Sequence, residues 1–244
     1  MTPYAFPMTA TGLQRALAAQ ASAQKQQDLQ RYFKTGPGQY GEGDCFIGVT
    51  VPQIRKIAVQ YCALPFPELK KLIRSPIHEE RSAALFILEC QNKKATAGER
   101  GPILSFYLEH LQYVNNWDLV DLTCRDLLGR AIADGLQDSS ILDQLAASDN
   151  LWERRIAIVS TWYFIRQGQL DHTLRIARTL LSDPEDLMHK AVGWMLREAW
   201  KIDPATIEQF LQTHYHHLPR TSLRYAIERM AEPTRQQYLK GTFW

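Results

Sequence analysis

The chain is poor in the features that mark most functional classes. It contains no run of 18 apolar residues, so no membrane span is expected. Its opening, MTPYAFPMTATGLQ, lacks the basic and apolar regions of a secretory leader. There are only four cysteines in 244 residues, Cys45, Cys62, Cys90 and Cys124, and none forms a C-x-x-C pair. They are read as reduced thiols with no zinc site, in a cytoplasmic protein (nucleoid-associated if the source is bacterial). G-x-S-x-G, H-E-x-x-H and Walker loops are missing, which removes the signatures of nucleophile-elbow hydrolases, zinc proteases and P-loop nucleotidases. Alternating β-branched runs are missing too, so no sheet is expected.

Two motifs imitate sites. GPGQYG (Gly36 to Gly41) satisfies G-x-G-x-x-G literally but follows a helix rather than a strand, which argues against a dinucleotide site. It belongs to a glycine-rich loop, TGPGQYGEGDCFIG. HYHH (His214 to His217) sits at a helix end with no nearby cysteine or acidic cluster, so no metal is assigned to it.

What the chain has is helix. GLQRALAAQASAQKQQDLQRYFKT is read as one long helix of good helix formers. TVPQIRKIAVQYCA opens on Thr50 as N-cap with Pro52 in the first turn, and SPIHEERSAALFILECQNKK carries apolar residues at helical spacing. Further helices are predicted near 101–112, 117–131, 139–147, 151–167, 171–182, 186–201, 204–214 and 220–230. The net charge of +2 hides a pattern. Residues 1–100 hold 13 basic and 8 acidic residues, 101–150 hold 2 and 8, and 151–244 hold 13 and 10.

A repeat underlies the helices. NNWDLVDL and NLWERRIA both begin Asn-x-Trp-acid, with Trp117 and Trp152 35 residues apart. MHKAVGWMLRE and TSLRYAIERM continue the series, and Arg155, Lys190 and Arg224 recur at 35 and 34 residues, with Arg81 opening an earlier helix. This period predicts an all-α, right-handed α-solenoid of stacked antiparallel helix pairs, as in HEAT-like repeats, read as a single domain over 1–244. Arg81, Arg155, Lys190, Arg197 and Arg224 would form a cationic stripe on its concave face, suited to a nucleic-acid backbone. Solvated helix charge is the plainer account of any one of them. Most tryptophans here read as core, with Trp117 and Trp194 set apart by their charged neighbours.

Within YVNNWDLVDL, Asn115 or Asn116 can cap the helix. Asp118 lies in the first turn, where the helix dipole accounts for a carboxylate, so exchange to Asn should cost about 1 kcal/mol or less. Asp121 is further in and shares a face with Trp117. A carboxylate in a phosphate-binding groove opposes binding, and one task suits it: stabilising an oxocarbenium-like sugar during cleavage of an N-glycosidic bond.

The chain resembles the DNA alkylation repair family, the AlkD-like DNA glycosylases built from HEAT-like repeats. The resemblance runs from LQRYFKTGPGQYGEGDCFIGVTVPQIRKI through NNWDLVD, SDNLWERRIAI and KAVGWMLREAWK to SLRYAIERM. It implies a catalytic trio at Trp117, Asp121 and Arg155, a cleft aromatic at Trp194 and a DNA-contacting tyrosine at Tyr32. It implies excision of cationic N3- or N7-alkylated purines from double-stranded DNA, without base flipping, cofactor or metal, by a monomer. The sequence departs from the best-known members at Asn116, where they carry a second tryptophan. This bears on the shape of the lesion cleft rather than on the trio. Two other classes stay open: a non-catalytic binder of damaged or branched DNA, and a protein-binding solenoid scaffold.

Overall fold

The computed structural model describes residues 7–243; residues 1–6, the start of the segment read above for a leader, and residue 244 lie outside it. Among the described residues the chain is all helical, its single β feature an isolated parallel bridge between Cys45 and Ile77. Among the described residues, no helix is long and apolar enough to cross a membrane. The chain divides between Thr123 and Cys124 into two compact units.

The first unit contains α1 (Ala10–Ala18), α2 (Ala23–Tyr32), α3 (Val51–Gln60), α4 (Phe66–Ile73), α5 (His78–Lys94), α6 (Ala97–Glu109) and α7 (Trp117–Asp121). The long α5 is its centre: α3, α4 and α6 all pack on it, and α1 leans on α3 and α4. Leu85, Ile87 and Leu88 of α5 are fully enclosed, beside Leu13 and Leu17 of α1 and Leu69 and Leu72 of α4. Burial of such side chains stabilises by about 1.5–3 kcal/mol each. Thr50 caps α3 as expected: its backbone N–H donates to Gln53 Oε1 at 3.0 Å in a capping box.

The expected single helix from Gly12 is instead two. Ser22 breaks it, because its N–H donates to the Ile47 carbonyl (3.1 Å) and its Oγ caps α2 at the Lys25 N–H. The cysteine reading is also corrected. Cys62, just after α3, and Cys90 on α5 are joined in a disulfide, with Cα atoms 5.9 Å apart, while Cys45 and Cys124 are free. The packing of α3 on α5 brings together residues 28 apart in sequence, which spacing alone could not reveal. The cysteines therefore no longer support a reducing compartment.

The second unit begins with a π-helical turn at Arg125–Gly129 that runs into α8 (Arg130–Ala133). It continues through α9 (Ile141–Ala146), α10 (Leu151–Ser160), α11 (Trp162–Ile165), α12 (Asp171–Thr179), α13 (Asp186–Trp200), α14 (Pro204–Thr213), α15 (Arg220–Ala226) and α16 (Glu232–Lys240). Helices α10, α13 and α15 pack in sequence order as one row, with α9, α12 and α14 behind them. The predicted helices 117–131 and 151–167 are each interrupted at a threonine. Thr123 Oγ1 donates back to the Leu119 carbonyl (2.5 Å), and Thr161 Oγ1 to that of Ile158 (2.6 Å). Buried hydroxyls that compete for helix carbonyls bend or end the helix. Helices α4 and α16 were not foreseen.

One packing detail repeats. A Cβ on Gly129 would lie 2.4 Å from the Ser160 carbonyl oxygen and 2.8 Å from Tyr163 Cβ. A Cβ on Gly193 would lie 2.4 Å from the Ser222 carbonyl oxygen and 2.6 Å from Tyr225 Cβ. The same glycine-on-serine crossing thus recurs along the unit, with a tyrosine three residues past each serine. Gly193→Ala should lower unfolding stability by about 1–3 kcal/mol, because backbone must move to admit the methyl. Gly98→Ala, in the first turn of α6 with open space around it, should raise stability by about 0.5 kcal/mol. Denaturant unfolding of both variants checks the contrast.

Candidate functional site

Helix α7 is five residues long, too short to stand on its own propensity. Its position is set by three consecutive side chains. Asn116 is the N-cap and fully buried; its Oδ1 accepts from the Trp117 N–H (2.9 Å) and its Nδ2 donates to Asp44 Oδ2 (2.8 Å). Trp117 stacks on Phe33 (centroids 5.1 Å, planes 17° apart), Phe33 on Phe46 (5.0 Å), and Phe46 on the imidazole of His78 (4.5 Å). Asp118 closes the circuit, its Oδ2 lying 2.8 Å from His78 Nε2.

His78 therefore sits between two carboxylates, since its Nδ1 is 3.2 Å from Asp44 Oδ2. Asp44 also accepts from the Arg81 guanidinium, which donates as well to the Ser75 carbonyl (2.9 Å). Burial pushes the imidazole toward neutrality, but the charge and hydrogen bond of Asp118, with the bond to Asp44, raise its pKa to about 9. Burial works to raise the Asp44 carboxyl. His78, Arg81 and Asn116 outweigh it and hold that carboxyl below its ordinary value. Next to His78 on α5, buried Glu79 accepts from the N–H groups of Ile47, Gly48 and Val49 (2.8–3.2 Å), fixing the loop that delivers Asp44 and Phe46.

The sequence-predicted residues fall into distinct groups. In the first unit Trp117 is half-buried, and Tyr32 is 64 % exposed with its ring edge-on to Trp117 at 5.8 Å. Asp121 is half-buried on the same short helix. Arg81 must be corrected: it is 4 % exposed and held by Asp44 and Ser75, so it is a structural cation with no face for a phosphate. Asn116 also takes a different meaning, because it is an interior cap and not part of a cleft wall.

In the second unit, Arg155 (α10), Lys190 (α13) and Arg224 (α15) are each the fifth residue of their helix. Asp121 is the fifth residue of α7. Arg155 is 5 % exposed and donates to the Leu187 carbonyl (2.6 Å). Lys190 is bonded to Asp186 (2.7 Å), and Arg197 to Glu228 and Glu198, so their charges are partly neutralised within the protein. Arg224 is exposed. Trp194 is half-buried and edge-on to Trp162 at 5.1 Å, and the Arg125 guanidinium lies over Trp162 at 4.8 Å. Among the described residues, no cluster of His, Cys, Asp or Glu is arranged to hold a metal ion.

Sequence reasoning missed Asp44, His78 and Glu79. A signal was present: HEER runs directly into SAALFIL. Four ionisable residues at the start of a helix with no polar face must be buried and partnered.

Paired helices with one helix position repeated from pair to pair define a helical-repeat protein. The sequence profile of the family described as DNA alkylation repair enzyme matches residues 13–230, and the chain belongs to that family. Its fold is similar to that of a solved structure described as a predicted DNA alkylation repair enzyme from Enterococcus faecalis. The TM-score is 0.68 at 18 % identity, covering 87 % of this chain and 98 % of the other. No curated protein matches the chain.

The network changes what Asp118 is expected to do. The dipole alone predicted a loss of about 1 kcal/mol or less on exchange to Asn. Removing one partner of a buried pair leaves the other uncompensated, so Asp118→Asn should lower stability by about 3–5 kcal/mol. Urea unfolding near neutral pH distinguishes the two values.

Proposed function

We propose that this family member is a DNA glycosylase, hydrolysing the N-glycosidic bond of cationic N3- or N7-alkylated purines in duplex DNA without flipping the base. The supporting observation is the placement of Asp121. It stands at the helix position that carries Arg155, Lys190 and Arg224 in later repeats, four residues from a half-buried tryptophan flanked by an exposed tyrosine. A carboxylate in a series of cations weakens phosphate binding. It earns its place if positive charge develops on the substrate during reaction.

An alkylated purine already carries positive charge, so it departs as a neutral base and needs no proton from a general acid. As the bond lengthens, charge moves to the deoxyribose. Asp121 stabilises that charge and orients or deprotonates the attacking water. Trp117 and Tyr32 offer aromatic faces and edges to the sugar and backbone, π-faces favouring the cationic partner. Trp194, in the second unit, is a further aromatic assigned to DNA contact. Arg155 is enclosed and donates to the Leu187 carbonyl, whereas Arg224 is open to a phosphate. The partner is double-stranded DNA; the protein acts as a monomer and calls on no cofactor.

Asp121→Asn keeps the size of the side chain and removes its charge. Single-turnover release of 7-methylguanine from duplex DNA should fall about 10²-fold or more, the effect of losing one preorganised stabilising group. Affinity for the same duplex should hold or rise. Excision at the wild-type rate would mean that the carboxylate is not catalytic, and release of no base by wild-type protein would favour a non-catalytic DNA binder.

A further inference from the structure

We propose that His78 is the positioning residue for Trp117 and Asp121, acting as a buried imidazolium clamped between Asp44 and Asp118. This rests on the glycosylase reading above and adds to it a residue that does not touch the substrate.

Hydrogen-bond capacity decides the charge on the ring. A neutral imidazole donates through one nitrogen and accepts through the other. Here both ring nitrogens face carboxylate oxygens, at 3.2 Å and 2.8 Å. Ionised carboxylates only accept, so both nitrogens must donate and the ring must be cationic. Asp44 is kept ionised by the Arg81 guanidinium and the Asn116 amide. Asp118 Oδ1 has no hydrogen-bond partner, and its Oδ2 is held by His78 Nε2.

Charge counting agrees. The side chains of His78, Arg81, Asp44 and Asp118 are all buried. Two carboxylates and one guanidinium leave a net negative interior, and an imidazolium brings it to zero. The charged groups facing the ring are Asp44 from the loop before α3, Arg81 from α5 and Asp118 from α7, while Phe33 at the end of α2 and Phe46 meet it with apolar rings. The neighbouring acids of α5 turn elsewhere, Glu79 onto the Ile47–Val49 amides and Glu80 onto Gln14.

The imidazolium reaches α7 by two routes. It holds Asp118 directly, and through Phe46 and Phe33 its ring ends the stack that seats Trp117. Asp121 is one turn beyond Asp118 on a helix with no other length to steady it. Loss of the ring proton leaves an acceptor facing an acceptor on one side of the ring, and that repulsion loosens the start of α7. Because the folded pKa lies above the ordinary 6.5, this hold is complete below pH 6.5 and is lost as pH rises through about 9.

The test uses full-length protein in two measurements. The first is side-chain NMR across pH 6–10, following the His78 ring nitrogens and the Trp117 indole N–H. Both His78 nitrogens should be protonated at pH 7, and the Trp117 signal should shift with the His78 titration. A neutral His78 at pH 7, or a Trp117 signal blind to that titration, would overturn the proposal. The second is single-turnover release of 7-methylguanine by wild type, His78→Gln and the charge-balanced His78→Gln/Asp118→Asn. The double variant guards against simple misfolding of the single one. It should react about ten- to a hundredfold more slowly, as expected of misplaced groups. It should also lose the alkaline limb of the wild-type profile and bind DNA within about twofold of wild type. A wild-type rate and pH profile in a folded double variant would sink the proposal. If wild type releases no base while Trp117 still follows His78, the glycosylase reading falls and the positioning role stands.

Discussion

The doubly bonded ring of His78 is the contact on which the candidate site depends. A five-residue helix is not stable alone, yet α7 carries the tryptophan and carboxylate assigned to chemistry. Its first turn is held by an amide to Asp44, an aromatic stack and a carboxylate on His78, and each of these leads back to α5 or the loop that α5 fixes. A buried charge cluster adds little net stability over an apolar core of the same volume, because each ion loses its hydration. It does resist partial breakage, since any member left alone is costly. That combination suits a segment that must keep one geometry.

The repeat and the proposed chemistry meet at one helix position. In α10, α13 and α15 the fifth residue is basic; in α7 it is Asp121. The recurrent seating of Gly129 on Ser160 and of Gly193 on Ser222 shows the same units repeating in their packing. A helical-repeat scaffold of this kind permits such a change of sign, because each repeat answers chiefly to its neighbours. The cations in the series are not equivalent, however. Arg155 is enclosed, Lys190 and Arg197 are partly neutralised by acids, and Arg224 faces solvent.

Local signals made much of this legible in the sequence. Helical periodicity, the Thr50 cap and the 34–35-residue recurrence of basic residues are written in short stretches, and the helices they imply are present. What was not legible depended on distant partners. Ser22 breaks a helix because of Ile47, and Thr161 ends another with Thr173 on its hydroxyl (2.9 Å). Cys62 meets Cys90 through packing alone. Arg81 looked like one more member of the basic series until Asp44, 37 residues earlier, claimed it. The helix dipole is only part of what places Asp118, because a buried partner 40 residues away, His78, meets its carboxylate.

On this account the charge cluster, more than helix propensity, fixes the start of α7. Amide hydrogen exchange in an Asp44→Asn variant tests it most directly. The substitution removes the charge, and one of the two acceptor oxygens, that His78, Arg81 and Asn116 share, while keeping the shape of the side chain. Protection of the amides after Asn116 in α7 should fall well below wild type, while α10 and α13 in the other unit keep theirs. Unchanged protection across Trp117–Asp121 would contradict the account and leave the aromatic stack as the element that holds the helix.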